Sequence, residues 1–455
     1  MKARLLASLA PVALLFGMST SSAETLPDAL VETYNTNPQI LAERANLRAV
    51  DENVPQALAG WRPVVQFTGS AGLERLENTP PAPPQAPAEE SLHPKTLDLN
   101  VTQPVYQGGR TVALTAAAEQ QVEAERARNA ATESTTFFSV IQAYFDVLRD
   151  QSVVQLNINN EQVLRRQLEA TNDQFHVGSV TRTDVAQAEA RLAAARASRQ
   201  TAEGTLAQSR SNFQRFVGHP PENLTQPDLH PVLPATRTEA LAFASTKNPN
   251  VIAALFSEDS ARSTVTATRA QLLPSVNLVG DINRAQQVIT DGRETTTGSI
   301  VARVTMPLYE GGQIYSQTRQ AQEKLAQSIG LTDDARRAAV QGAIQAWETV
   351  QSAGASSTSL GATIRADQIA LEGVRQEQQV GSRTILDVLN QEQELFTDQV
   401  SLVGAQHDMR VAQFNLAQQI GTLTAVNLGL PVRLYDVDTH YKSVRDKWLG
   451  FGAKD

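Results

Sequence analysis

PVYQGGR (104–110) and PLYEGGQ (307–313) write Pro-apolar-Tyr-polar-Gly-Gly-polar twice, 203 positions apart. A glycine pair can cradle a phosphate, but that loop needs a Gly-Lys-Ser/Thr after it, and neither copy has one. What surrounds each pair is a change of period. Before it, apolar and polar residues alternate as in a strand; after it, the apolar spacing is helical. Pro104 and Pro307 therefore read as strand ends, because proline cannot donate to a ladder. Gly108, Gly109, Gly311 and Gly312 permit the sharp turn into each helix.

The repeat is much longer than the joint. QAYF (142–145) faces QAWE (345–348), VGSVTRTDV (177–185) faces VGSRTILDV (380–388), and NFQRFVG (212–218) faces NLAQQIG (415–421), all at an offset of 203. Upstream, NPQI (37–40) faces NPNV (248–251) and Pro63 faces Pro274 at an offset of 211. The eight-residue difference lies between Pro63 and Pro104, an interval holding TPPAPPQAPAEE (79–90), whose prolines suit an exposed, extended loop. Such a period is too long for a solenoid; a whole half-molecule has been copied once.

Each half reads helix, two strands, very long helix, turn, long helix. Residues 26–60 are alanine- and charge-rich with helical spacing. From Val64 the period is two: Val65, Phe67, Gly69, Ala71 and Leu73 alternate with Gln66, Thr68, Ser70, Gly72 and Glu74. Leu97, Leu99 and Val101 alternate likewise with Asp98, Asn100 and Thr102. The second half repeats this with Val276, Leu278, Gly280 and Ile282, then Ile300, Ala302, Val304, Met306 and Leu308. Strands of about ten residues cross a bilayer when tilted. Residues 110–177 contain no proline, which predicts a helix of about 100 Å at 1.5 Å per residue. The helix over 184–217 is about half as long, so the pattern predicts a tall wall in which each long helix is backed by two shorter ones.

Val388, Leu395, Leu402, Met409 and Leu416 recur at every seventh position, and their counterparts Val185, Leu192, Arg199, Leu206 and Phe213 are interrupted only by Arg199. Glu392, Gln399, Gln406 and Gln413 lie at intervening seam positions. A narrow apolar seam with wet flanks fits coiled-coil packing in a hollow wall. Aromatics are only 5% of the residues, which argues against a bulky enclosed core.

Composition removes most chemistry. No cysteine is present, which excludes disulfides, thiolate metal sites and cysteine nucleophiles. The net charge of −9 does not favour nucleic acid. His93, His176, His219, His230, His407 and His440 are scattered without ligand spacing and read as surface residues. No catalytic residue, cofactor or metal is expected. Residues 1–23 read as a secretory signal: Lys2 and Arg4, an apolar run over 5–18, then Ser21, Ser22 and Ala23 before cleavage. A membrane anchor is the competing reading of that run, which is short for a span.

Four strands cannot close a barrel, since about eight is the smallest workable number. Open sheet edges in lipid leave backbone groups unpaired. The ribbons must therefore join ribbons of like chains. Two chains give eight strands and little lumen, three give twelve and room for a channel, and strand counting does not choose between them. A soluble β-sandwich packed on helices is the other reading. Tyr106 and Tyr309 suit an aromatic belt at the membrane boundary.

The duplicated halves, the Tyr-x-Gly-Gly joints, the turn VGSRTILDVLNQE (380–392) and the tail YDVDTHYKSVRDKW (435–448) together resemble the TolC-like outer-membrane efflux and secretion channels. The tail is most similar to the type I secretion branch. The resemblance covers essentially the whole chain after residue 23. It implies a mixed α and transmembrane β fold: an internally duplicated coiled-coil α-helical barrel, with four strands per chain contributing to a twelve-stranded β-barrel in a homotrimer. It further implies a Gram-negative outer-membrane location reaching into the periplasm. The implied function is a passive exit duct for efflux or type I secretion, with outer-membrane lipid around it. A periplasmic adaptor would recruit it to an inner-membrane transporter, ABC or proton-driven, with no cofactor and no nucleic acid.

By the same resemblance, Val177, Gly178, Ser179, Val380, Gly381 and Ser382 form the adaptor-contacting periplasmic tip. Gly178 and Gly381 end the long helices there, and Thr183 and Thr384 cap the returning ones. Asp387 and Asn390 take positions that face the lumen in the family, and three Asp387 carboxylates would form a cation-attracting ring. The plainer reading of Asp387 is a solvated helix-start carboxylate aided by the dipole. Asp184 and Arg383 match residues that link neighbouring hairpins in a closed gate. Gln378 stands where an aromatic partner of that latch is expected, and Asn390 where a second carboxylate is expected; both depart from the family pattern.

The expected organisation is a signal at 1–23, a first-repeat helix at 24–60, and a transmembrane hairpin with its proline-rich outer loop at 61–107. A helical hairpin at 108–218 and a linker at 219–237 follow. The second repeat has a helix at 238–273, a transmembrane hairpin at 274–309 and a helical hairpin at 310–421, and an equatorial segment at 422–455 completes the chain. The competing assignment is a trimeric cell-surface adhesive or structural coiled coil. That would carry one terminal anchor and a long stalk, whereas these strands are threaded between the helices of each repeat.

Overall fold

The computed structural model describes residues 24–77, 89–288 and 292–452. The signal at 1–23 and most of the proline-rich stretch lie outside the described residues. The first repeat comprises α1 (Leu26–Thr36), α2 (Pro38–Asp51), α3 (Asn53–Leu58), β1 (Val64–Ala71), β2 (Glu74–Glu77), β3 (Glu89–Leu92), β4 (Lys95–Gln107), α4 (Arg110–His176) and α5 (Arg182–Val217). The second comprises α6 (Arg237–Lys247), α7 (Pro249–Arg269), β5 (Ser275–Gln286), β6 (Glu294–Thr305), α8 (Gln313–Gln379) and α9 (Ile385–Gln419), and α10 (Val437–Val444) follows. The helices α4 and α8 have 67 residues each, about 100 Å. Among the described residues no helix is long and apolar enough to cross a membrane.

The single helix expected over 26–60 is interrupted. Asn37 is extended (φ −64°, ψ 125°) because the ring of Pro38 disfavours the helical region for the residue before it. Asn248 before Pro249 repeats the break at φ −63°, ψ 125°. Each break has a second use. The Asn37 amide donates to the Phe216 carbonyl at the end of α5, and the Asn248 amide donates to the Gln419 carbonyl at the end of α9, both at 2.8 Å. Each satisfies a last-turn carbonyl that has no partner within its own helix.

The residues divide into two compact units. One holds 38–138, 231–351 and 412–452, and with them the sheet. Its strand order is β1-β4-β5-β6, antiparallel throughout. The register separates the two faces cleanly. Val65, Val101, Gly280 and Ile300 lie in one row, and Phe67, Leu99, Ile282 and Gly298 in the next. The opposite face carries Gln66, Asn100, Asp281 and Ser299, then Thr68, Asp98, Asn283 and Thr297. Phe67 is 68% exposed and Ile300 80%, which no sandwich core would allow. Within the chain β1 and β6 are edges, each hydrogen-bonded on one side only among the described residues.

Pro104 does not end its strand. β4 continues to Gln107 through a bulge between Pro104 and Tyr106. The pairing of β1 with β4 stops at Thr102, so Pro104 sits where β4 has only β5 beside it, and a missing donor there costs no ladder bond. Pro307 does follow the end of β6 at Thr305. The short antiparallel ribbon β2–β3, pairing Glu74 with Leu92, has no counterpart in the second repeat among the described residues.

The other unit holds 24–37, 139–230 and 352–411. Its α5 buries Ala188, Leu192, Ala195, Ala202, Leu206, Ser209 and Phe213, spaced alternately by four and three except where Arg199 stands. Arg199 breaks the apolar seam but not the contact: its guanidinium meets Glu161 of α4 at 2.7 Å and Glu203 at 2.6 Å. Two histidines expected at the surface are largely buried. His407 lies 2.9 Å from both Asp146 and Asp408, and in the first-described unit His440 lies 2.9 Å from Asp51. A carboxylate partner in each case offsets the cost of burying an imidazole.

Candidate channel tip and strand-to-helix joints

The two turns expected at the tip are built alike, bond for bond. In the first, Gly178 adopts φ +80°, its amide donates to the Phe175 carbonyl at 2.9 Å, and the Ser179 amide donates to the Gln174 carbonyl at 2.9 Å. In the second, Gly381 also has φ +80°, and the Gly381 and Ser382 amides donate to Gln378 at 3.0 Å and Glu377 at 2.9 Å. Both are Schellman endings, for which a left-handed residue without Cβ is best suited. The Ser179 and Ser382 hydroxyls add bonds of 2.9 Å to the same Gln174 and Glu377 carbonyls. Val177 and Val380 are apolar side chains left about four-fifths exposed among the described residues.

Each returning helix starts from a capping box. The Thr384 amide and hydroxyl donate to the Asp387 carboxylate at 2.9 and 2.8 Å, and the Asp387 amide donates back to the Thr384 hydroxyl at 3.2 Å. In the first repeat the capping threonine is Thr181, not Thr183. Its amide and hydroxyl donate to Asp184 at 2.8 and 2.7 Å. Thr183 lies inside the first turn of α5, whereas Thr181 stands 203 positions before Thr384 and makes the T-x-x-D signature. These bonds from Thr384, helped by Arg383, hold the Asp387 carboxyl below the usual range for aspartate.

The structure brings some of the gate residues together and not others. Asn390 accepts a hydrogen bond from Arg191 of α5 at 2.9 Å, which ties one helical hairpin to the other. Arg383 pairs with Glu377 of its own hairpin at 2.9 Å. Asp184 stays in its cap. Below them, Leu164, Leu192 and Ala195 of the first hairpin pack on Ile385 and Leu389 of the second. Buried Glu392 is held by Arg375 across α8 and α9 at 2.8 Å. Neither Arg191 nor Arg375 shows a sequence signal, because each pairs across a helix boundary where no fixed spacing operates.

At the joints, all four glycines have positive φ: +61° and +84° for Gly108 and Gly109, +62° and +81° for Gly311 and Gly312. Two successive left-handed residues turn the chain from strand into helix, and an ordinary residue would be strained at each. Tyr106 and Tyr309, which precede the pairs, are exposed. No group of three histidine or acidic side chains among the described residues is arranged to hold a metal.

The outer membrane efflux protein family profile matches residues 29–219 and 242–422, and the chain belongs to that family. The outer membrane efflux protein BepC of Brucella suis biovar 1 (strain 1330) is 34% identical over 436 residues, covering 95% of this chain and 93% of BepC. The outer membrane protein TolC of Vibrio cholerae serotype O1 is 27% identical over 442 residues, covering 93% of this chain and 99% of its own. The crystal structure of the outer membrane protein VceC, also from Vibrio cholerae, shares the fold: the TM-score is 0.76 at 20% identity, over 87% of this chain and 96% of VceC. The protein is thus an efflux and secretion channel of the Gram-negative outer membrane, a family of conduits and not of enzymes.

Proposed function

We propose that three copies of this chain form a passive exit duct, opened when a periplasmic adaptor recruits it to an inner-membrane transporter. The observation that carries this reading is the open four-stranded sheet with an exposed apolar face and, among the described residues, an open strand edge at each side. In lipid those edges must be paired. Three sheets give twelve strands, with room for a lumen lined by the Asp98, Asn100, Asp281 and Asn283 face. The three segments of each repeat, with boundaries as expected above, then serve as barrel, wall and tip. BepC's name as an efflux protein supports efflux; the tail's resemblance to the type I branch supports protein export as the alternative cargo.

Planar-bilayer recording on the purified protein tests the duct. Wild type is expected to pass a small, discrete ion current that grows in the Asp184→Ala, Arg383→Ser double variant. Silence from both proteins overturns the reading.

In this assembly Asp387 rings the constriction, and Val177, Gly178, Ser179, Val380, Gly381 and Ser382 meet the adaptor. Asp387→Ala is expected to weaken block by divalent cations applied from the periplasmic side by roughly tenfold or more, as loss of a charged ring should. Thr384→Ala removes the cap but keeps the carboxylate, so its block is expected to persist; equal loss in both variants would make Asp387 a cap alone. The depressed carboxyl also sets a direction with pH. Its contribution to the cap is complete above the pKa of an unfolded aspartate and disappears as pH falls through the lower folded value. Cation block should therefore be complete above the ordinary aspartate range and be lost as acid protonates the ring; loss of block already near neutrality would contradict the assignment.

A further inference from the structure

Beyond α10 the chain carries an apolar tail, Trp448, Leu449 and Phe451, which among the described residues is left largely exposed. Trp448 is 64% exposed, Leu449 90%, and Phe451 wholly. Its position is fixed by three contacts, the first two of which climb α4 towards that helix's first residue, Arg110. Asp438 meets Arg126 at 2.7 Å, then Arg445 meets Glu119 at 3.1 Å, and finally the Lys447 carbonyl accepts from Arg62 at 2.7 Å. The Arg62 guanidinium also lies over the Trp448 ring, 5.2 Å from its centre.

Arg62 stands two residues before β1. Val64 pairs with Thr102, so Arg62 is level with Pro104 of β4, and the Gln103 amide bonds the neighbouring Trp61 carbonyl at 2.8 Å. Tyr106 lies two residues further along β4. Trp448 is therefore held at the depth of the aromatic residue that ends the sheet.

We infer that residues 447–452 form an interfacial lipid anchor, dipping Trp448, Leu449 and Phe451 into the periplasmic leaflet of the outer membrane beside each barrel. The inference rests on the proposed membrane placement of the sheet. The chemistry is that of a membrane boundary. An indole and a phenyl ring favour the headgroup zone, and Lys447, next to Trp448, places a basic group where headgroup phosphates lie. Large apolar side chains exposed at this depth also lower their free energy by leaving water. The competing occupant is a neighbouring copy of the chain covering the same residues.

Depth-dependent quenching separates these. Trp61 and Trp347 are the other tryptophans, so Trp61→Phe with Trp347→Phe leaves Trp448 as the sole emitter. The full-length variant is reconstituted into phosphatidylcholine vesicles carrying bromine on the acyl chains, either near the headgroup or near the bilayer centre. Shallow bromine is expected to cut Trp448 emission roughly twofold, and deep bromine distinctly less, as for an interfacial ring. A second protein, with Trp61, Trp347 and Trp448 all replaced by Phe and Phe67→Trp added, reports on the apolar sheet face. If Phe67→Trp is quenched and Trp448 is not, the anchor is wrong while the barrel stands; blue-shifted, unquenched Trp448 emission in that case assigns the tail to a neighbouring copy. If neither is quenched, the sheet is not in lipid and the anchor falls with it.

Discussion

Gly108→Ala is expected to destabilise the folded chain by about 3 kcal/mol, combining left-handed strain with overpacking. A Cβ there would lie 2.7 Å from the Ala270 carbonyl oxygen and 2.8 Å from the Leu273 Cβ, with φ at +61°. Neither neighbour is the free end of a long side chain, so neither can swing aside. The duplicate glycine, Gly311, has the same φ, yet a Cβ on it would meet nothing within 4 Å in its own chain. The internal duplication explains the difference. Gly108 of the first repeat packs on the turn between α7 and β5 of the second. At the offset of 211, Ala270 and Leu273 correspond to Ala59 and Arg62 of the first repeat. If β6 of one chain pairs with β1 of the next, as β4 pairs with β5 within a chain, Gly311 packs on Ala59 and Arg62 of the neighbouring copy. Gly311→Ala should then cost the separated chain only the left-handed strain, about 1–2 kcal/mol, without the overpacking, and should in addition weaken the assembly. Circular-dichroism melts in detergent report the first effect, and the temperature at which the oligomer dissociates on a denaturing gel reports the second. Equal effects of the two substitutions on both readouts would contradict the pseudo-symmetric assembly.

The second large effect is expected from Arg375→Ala. Glu392 is 6% exposed, and one of its carboxylate oxygens has no hydrogen-bond partner. Removing Arg375 strands the other. A fully buried pair broken in this way costs roughly 3–5 kcal/mol; with Arg375 44% exposed, about 2 kcal/mol is the expected loss. The loss falls between α8 and α9, eight residues from the Thr384 cap, so the tip hairpin should loosen and basal current in a planar bilayer should rise. Glu392→Gln in the Arg375→Ala background removes the stranded charge and should bring the current back towards wild type. A double variant no better than Arg375→Ala would show that the ion pair does not hold the hairpin.

What could be read from the residues alone was what depends on near neighbours. The positive φ of the Gly-Gly pairs and of Gly178 and Gly381, and the buried seam of α5, each have their cause within one turn or one heptad. The break at Asn37 is also local, set by the Asn-Pro pair, though the helical spacing on both sides of it masks the signal. The cap is at Thr181, two residues before Thr183, where the offset of 203 from Thr384 places it. Other features depend on groups far apart in the chain. Pro104 is accommodated within β4 because β1 happens to stop at Thr102. Arg191 meets Asn390, and His407 meets Asp146, only after the hairpins have packed. No spacing rule reaches across those distances. The gate roles of Asp387 and Asn390 depend on copies of the chain and came from family resemblance.

Because the chain has no cysteine, disulfide trapping between β1 and β6 is the most direct measurement of whether like chains complete the sheet. With the register of β4 on β5 carried over to β6 on the next β1, Ser70 stands opposite Arg303, so Ser70→Cys on β1 is combined in turn with Val301→Cys, Arg303→Cys and Thr305→Cys on β6, all on the polar face. Oxidation of the membrane-embedded protein should give, for at least one pair, a ladder of one, two and three linked chains on a reducing-agent-free gel and nothing larger. A ladder that stops at two chains, or no cross-link with any of the three pairs, would contradict the closed twelve-stranded assembly on which the duct depends.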